Sequence, residues 1–112
     1  MATSNLDLTG ADLNLKLRAG NDPKIQLTFQ TDVSTWTNFA ARALARDGSA
    51  WSFTVDTTSL ASSIVFLSLT NVQTTAMYGK RGILWQLEAE DAAGLNHTLM
   101  AGAITVEENV NL

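Results

Sequence analysis

The stretch G79-KRGILWQLEAEDAAGLNHTLMAGAIT-V106 decides how the chain folds. Ile83, Trp85, Leu87 and Ala89 alternate with Leu84, Gln86, Glu88 and Glu90. A period of two puts one apolar row on one face and a more polar row on the other, the mark of a half-buried strand. Asp91-Ala92-Ala93-Gly94 then supplies a turn, because the Asp carboxylate can bond the following backbone and Gly tolerates positive φ. Leu95, His97 and Leu99 next alternate against Asn96, Thr98 and Met100, and Ile104 and Val106 carry the apolar phase on beyond Gly102. An odd shift of phase beside a glycine predicts a β-bulge or corner there. The stretch reads as a long antiparallel hairpin in the middle of a β-sandwich.

Working outward, Asp12 to Arg18 alternates Leu13, Leu15 and Leu17 with Asn14, Lys16 and Arg18. Ala19-Gly20-Asn21-Asp22-Pro23 breaks the chain, and Lys24 to Gln30 then sets Ile25, Leu27 and Phe29 inward, so the two runs read as a hairpin. Ala50 to Asp56 places Trp51, Phe53 and Val55 on one face. Ile64 to Leu69 is apolar on nearly both sides, as a central strand or one covered by a partner would be. Asn71 to Tyr78 lacks the period of two. Thr70 or Asn71 can cap it and Gly79 can end it, so one or two helical turns are expected there. Phe39 to Arg46, FAARALAR, is ambiguous: Ala and Leu favour helix, but the segment is short and lies between strands. It is read as a strand, because the sheet otherwise lacks a neighbour for the next run.

The total is about seven strands, joined by turn signals, in one all-β domain: a two-sheet antiparallel sandwich, Ig-like, with one short helical turn near 71–78. Residues 12–112 form that domain. Residues 1–11 are either a frayed tail or an arm that orders on a neighbouring subunit, with Leu6 and Leu8 as its anchors.

Composition narrows the function. There is no cysteine, which removes disulfides, thiolate metal sites and cysteine nucleophiles. Seven basic and eleven acidic residues give a formal net charge of -4, and an acidic balance without a basic run argues against binding nucleic acid. The N-terminus does not read as a signal peptide, and no apolar run is long enough to cross a membrane. Hydrophobic residues make up 46% and charged ones 16%, a ratio that hints at surface covered by a partner.

Catalytic equipment is missing from the pattern. His97 is the sole histidine and aligns with Leu95 and Leu99, so a packed or rim imidazole is expected. Glu88, Glu90 and Asp91 lie close in sequence, but the two glutamates share a solvent face, where charge discourages sheet aggregation. Ser59 to Ser63 lacks the nucleophile elbow, and no phosphate loop or dinucleotide motif is present. An enzyme is not expected, nor a cofactor or metal. Trp51 and Trp85 sit on alternating strands and read as core. Trp36 stands in a polar connection and reads as an exposed aromatic, either a protein contact or the stacking platform of a carbohydrate-binding module.

Four segments in order, GNDPKIQLTF (20–29), WSFTVDTT (51–58), VFLSLTNVQTTAM (65–77) and WQLEAEDAAGLNHTLMAGAITVEENV (85–110), carry a likeness. Together they resemble a family of small β-sandwich domains in tailed-phage virions. These are known best as N-terminal domains of baseplate proteins, with relatives encoded as short separate virion proteins in phages of actinobacteria. The resemblance implies a non-enzymatic structural protein that is made in the host cytoplasm, resides in the virion, and is present in many copies or as a homo-oligomer. Its partner would be the major capsid protein or another virion protein. Family members in baseplates continue into a stalk or receptor-binding domain, whereas this sequence stops at Leu112 and begins with an extra segment, Met1 to Leu13. These departures favour a head decoration or minor capsid protein, with a tail or baseplate component as the alternative. Leu6, Leu8 and Trp36 are the candidate protein contacts.

Overall fold

The structure is a computed structural model that describes residues 11–108. In chain order its elements are β1 (Ala11–Asp12), β2 (Leu15–Arg18), β3 (Lys24–Thr28), β4 (Thr37–Leu44), β5 (Ala50–Ser52), β6 (Thr54–Asp56), a 3₁₀ turn (Leu60–Ser62), β7 (Ile64–Ser68), α1 (Asn71–Met77), β8 (Ile83–Glu90) and β9 (Asn96–Glu107). They form two sheets. In the larger, β1 and β2 lie beside β9, followed by β8, β4 and β5; the smaller runs β3, β7, β6. Leu27, Val65 and Leu67 of the small sheet share one apolar core with Leu15, Leu17, Ile83, Trp85, Leu87 and Leu99 of the large one. Val65, Leu67 and Leu87 have no exposed surface at all, and such burial contributes about 1.5–3 kcal/mol per side chain.

The 83–106 stretch forms the antiparallel hairpin expected of it, with Ile83 opposite Ile104 and Glu90 opposite Asn96. FAARALAR is strand, not helix, over Thr37–Leu44. Its alternate alanines explain why. Ala41 and Ala43 face inward, 3% and 1% exposed, opposite Leu87 and Trp85. Small side chains there leave room for the large ones beside them, and that packing overrides helix propensity. The helical segment also forms, over Asn71–Met77. Thr70 accepts from Gln73 N–H while the Gln73 side chain accepts from Thr70 N–H, a capping box.

Four expectations are corrected. The runs 12–18 and 24–30 are not a hairpin: β2 pairs parallel with β9, whereas β3 pairs antiparallel with β7 in the other sheet. The Gly-Asn-Asp-Pro segment thus carries the chain across the core instead of doubling it back, and the large sheet is mixed rather than wholly antiparallel. The Ala50–Asp56 run is not one strand either. It leaves the large sheet and joins the small one at Phe53, which is 6% exposed and donates its N–H to Ala41 O at 3.0 Å. This break and the one between β1 and β2 raise the count from about seven strands to nine among the described residues.

The fourth correction concerns the bulge. Leu87 pairs with Met100 but Glu88 with Thr98, so the extra residue is Leu99, 1% exposed. Gly102 serves another purpose. A Cβ there would lie 2.0 Å from Leu13 O. The N-terminal strand steps over β9 at this point, with Leu13 N–H donating to Ala101 O at 2.8 Å. Trp85 Nε1–H donates to Leu13 O at 2.9 Å, and Ala103 N–H to Asn14 Oδ1 at 3.0 Å. Ala11–Asp12 therefore belong to the sheet, and Leu13 is bonded to its edge.

Candidate interaction surface

Leu6 and Leu8 lie outside the described residues. Trp36 is described, and the expectation that it is exposed is corrected. It is 8% exposed and closes one end of the core together with Val33, to whose carbonyl its N–H donates at 3.0 Å. The polar neighbours Thr31, Asp32, Ser34 and Thr35 concealed an apolar pair three residues apart in a turn, a spacing that sends both side chains the same way.

The Trp36 ring packs against His97, with centroids 5.2 Å apart. His97 Nε2 lies 2.8 Å from Asp91 Oδ2, and both side chains are about one-fifth exposed. His97 is thus a rim imidazole, as expected. Asp91 also orders the hairpin turn, since its Oδ1 accepts from Ala93 N–H at 2.9 Å and Leu95 N–H at 3.0 Å. The hydrogen bond from His97, then that from Leu95 N–H, holds the Asp91 carboxyl below the usual carboxylate range. Among the described residues, no three His, Asp or Glu side chains converge where an ion could sit. No helix among them is long and apolar enough to cross a membrane.

The solvent face of the large sheet has one apolar, basic end. Leu44 and Leu84 are cross-strand partners, 55% and 64% exposed. Arg42, Leu44, Ala50, Leu84 and Gln86 line an open groove of about 400 Å³ over Ala43 and Trp85. The hollow that shares Arg42 and Gln86 with this groove is lined also by Ala40 and Glu88, and a separate one is lined by Arg46, Asp47, Gly79, Lys80 and Arg81. The backbone joins these two loops, Arg46 N–H donating to Arg81 O at 3.0 Å. Lys80 Nζ bonds Asp47 Oδ2 at 2.8 Å, which with the Ser49 N–H bond keeps Asp47 far below the ordinary carboxylate value. The guanidinium groups of Arg42, Arg46 and Arg81 have no hydrogen-bond or ion-pair partner among the described residues.

Four of the chain's seven basic residues, Arg42, Arg46, Lys80 and Arg81, are therefore gathered at one end, against a net charge of -4 overall. Sequence reasoning missed this cluster because its members come from two loops and a strand about 35–40 positions apart; only tertiary pairing of β4 with β8 brings them together. A signal was present nonetheless. Leu84 stands in the polar row with Gln86, Glu88 and Glu90, and Leu44 stands between Arg42 and Arg46. Leucines on the polar side of an alternation mark where two strands could bring exposed apolar side chains together, as Leu44 and Leu84 do.

Compared with known proteins, the chain matches no family model and no curated protein.

Proposed function

We propose that this chain is a non-enzymatic structural protein of a tailed-phage virion, a decoration or minor capsid protein that docks on the coat lattice of the head. The observation that carries the reading is the likeness of the four segments at 20–29, 51–58, 65–77 and 85–110. They make up the crossover with β3, the strand that changes sheets, β7 with α1, and the β8–β9 hairpin. The likeness thus falls on the frame of the molecule, not on one common turn. In this reading the two sheets are the layers of an Ig-like sandwich, and the major capsid protein or another virion protein is the partner.

The mechanism is binding without bond-making. Each copy covers modest apolar surface on its neighbours, and repetition over the lattice multiplies weak single contacts. Leu44 and Leu84 supply such surface on the described part, and Leu6 and Leu8 do so on an N-terminal arm. The carbohydrate-binding reading is dropped, because a buried Trp36 offers no platform for a sugar ring. A tail or baseplate position is the second reading, favoured by the baseplate members of the resembled family. Quantifying this chain in purified virions tests both: hundreds of copies support the head, a few to a few dozen support the tail or baseplate, and absence from particles ends the virion reading.

A further inference from the structure

We infer that the hollow between the β4–β5 turn and the α1–β8 turn is an anion site, in which Arg46 and Arg81 take the carboxylates of an acidic segment of a partner protein. This deepens the reading of the chain as a docking subunit, whose partner surface it describes, and rests on it.

Elsewhere the chain engages its cations. Lys16 and Arg18 lie 3.8 and 3.7 Å from Glu107, and Arg18 also donates to Glu108 O at 3.0 Å. Lys24 sits over the Phe66 ring, 4.7 Å from its centre. Arg42 shares a hollow with Glu88, and Lys80 holds Asp47 at 2.8 Å. Arg46 and Arg81 are exposed and have no partner of their own among the described residues. Acids are not scarce, since the chain has eleven to seven bases.

The fold holds these two arginines together before anything binds. Arg46 N–H donates to Arg81 O at 3.0 Å, so their side chains leave backbone positions that are bonded to each other. Gly82 makes room for one of them: a Cβ there would lie 3.2 Å from Arg46 Nε and 3.4 Å from its Nη2. Both arginines line one open hollow of about 370 Å³ with Asp47, Gly79 and Lys80. Lys80 and Asp47 cancel each other's charge, and Asp47 already accepts from Ser49 N–H through its other oxygen. The two guanidinium groups are left uncompensated, and a guanidinium fork matches a carboxylate bidentately.

A segment of protein suits the place better than other anions. Leu44 and Leu84, both exposed, stand two positions before Arg46 and three after Arg81, so apolar surface adjoins the charge, which a free anion would leave uncovered. A nucleic acid is disfavoured because two arginines neutralise few phosphates and the net charge of -4 repels a polyanion.

Titration of the full chain with a synthetic peptide of glutamates interrupted by leucines, followed by the ¹⁵N NMR signals of the arginine side chains, tests this. At low ionic strength the Arg46 and Arg81 signals should shift in a saturating way, and the shifts should shrink as salt screens the pairs. Arg46→Gln and Arg81→Gln should each weaken binding about tenfold, whereas Lys16→Gln, remote from the hollow, should not. Arg46→Lys keeps the charge but loses the fork, and should fall between parent and Arg46→Gln. The far-UV circular dichroism of all four should match the parent, since these positions are exposed. No saturable shift up to millimolar peptide overturns the proposal, as does an equal loss in Lys16→Gln. Inorganic phosphate or single-stranded DNA binding as tightly as the peptide overturns the assignment to a protein segment. A chain that ignores the peptide yet is abundant in virions removes this site and leaves the head assignment standing. Peptide binding by a chain absent from virions does the reverse.

Discussion

Gly102→Ala should be among the most damaging single-methyl changes in this chain. The added Cβ would sit 2.0 Å from Leu13 O and 2.6 Å from Leu13 C, so backbone must move; no flexible side chain can yield instead. Moving Leu13 away breaks the 2.9 Å bond from Trp85 Nε1–H. Trp85 is 2% exposed, and a buried donor left without a partner costs about 1–3 kcal/mol. The flanking bonds, Leu13 N–H to Ala101 O and Ala103 N–H to Asn14 Oδ1, weaken with it and add about 0.5–1.5 kcal/mol. The expected loss is about 2–4 kcal/mol, a fall in Tm of roughly 10–15 °C for a domain of this size. Urea unfolding followed by tryptophan fluorescence reads it. A cycle with Trp85→Phe separates the causes: the indole bond is already broken in the G102A background, so the two losses should sum to less than their separate values by about 1 kcal/mol. A loss below about 0.5 kcal/mol for Gly102→Ala, or strict additivity, would refute the crossing geometry.

Thr74→Val should cost about 1–3 kcal/mol. The Thr74 hydroxyl, fully buried, accepts from Gly20 N–H at 3.1 Å and donates to Asn21 O at 2.8 Å, pinning the crossover loop to α1; an unchanged urea midpoint would contradict that role. Trp36→Ala should destabilise by about 3–5 kcal/mol, as for other buried aromatics, whereas a fold of unaltered stability would mean that the ring is not core. Stability should also fall in acid. Asp91 and Asp47 both have folded pKa values below the ordinary one, so the unfolded chain binds more protons. Their contribution is present above pH about 4 and is lost as pH falls through and below that value. Urea midpoints measured from pH about 6 to pH about 3 should decline, less steeply for Asp91→Asn; a flat or rising midpoint would oppose this.

The two-residue rhythm made most strands legible, because every second side chain of a sheet with one wet face must be apolar. It reached even FAARALAR, where Ala41 and Ala43 are small because Trp85 and Leu87 fill the space beside them. Strand partners were not legible. Arg18 and Lys24 stand close in sequence, yet their strands belong to different sheets, because a Gly-Asn-Asp-Pro segment permits a crossing as readily as a tight turn. The wrong reading of Trp36 came from judging a loop by its average polarity, while one large ring can be buried by the loop's own fold. Gly102 was noticed as the seat of a bulge or corner, which lies instead at Leu99; what requires the glycine is Leu13 O, far away in sequence and invisible to any local pattern. The arginine-flanked groove depends on the same kind of distant pairing.

Whether the chain decorates the head is tested most directly by electron microscopy of intact virions labelled with gold-conjugated antibody against it. The head assignment predicts gold spread over the capsid surface at many sites per particle. Gold confined to the tail tip, or particles that remain bare, would contradict it.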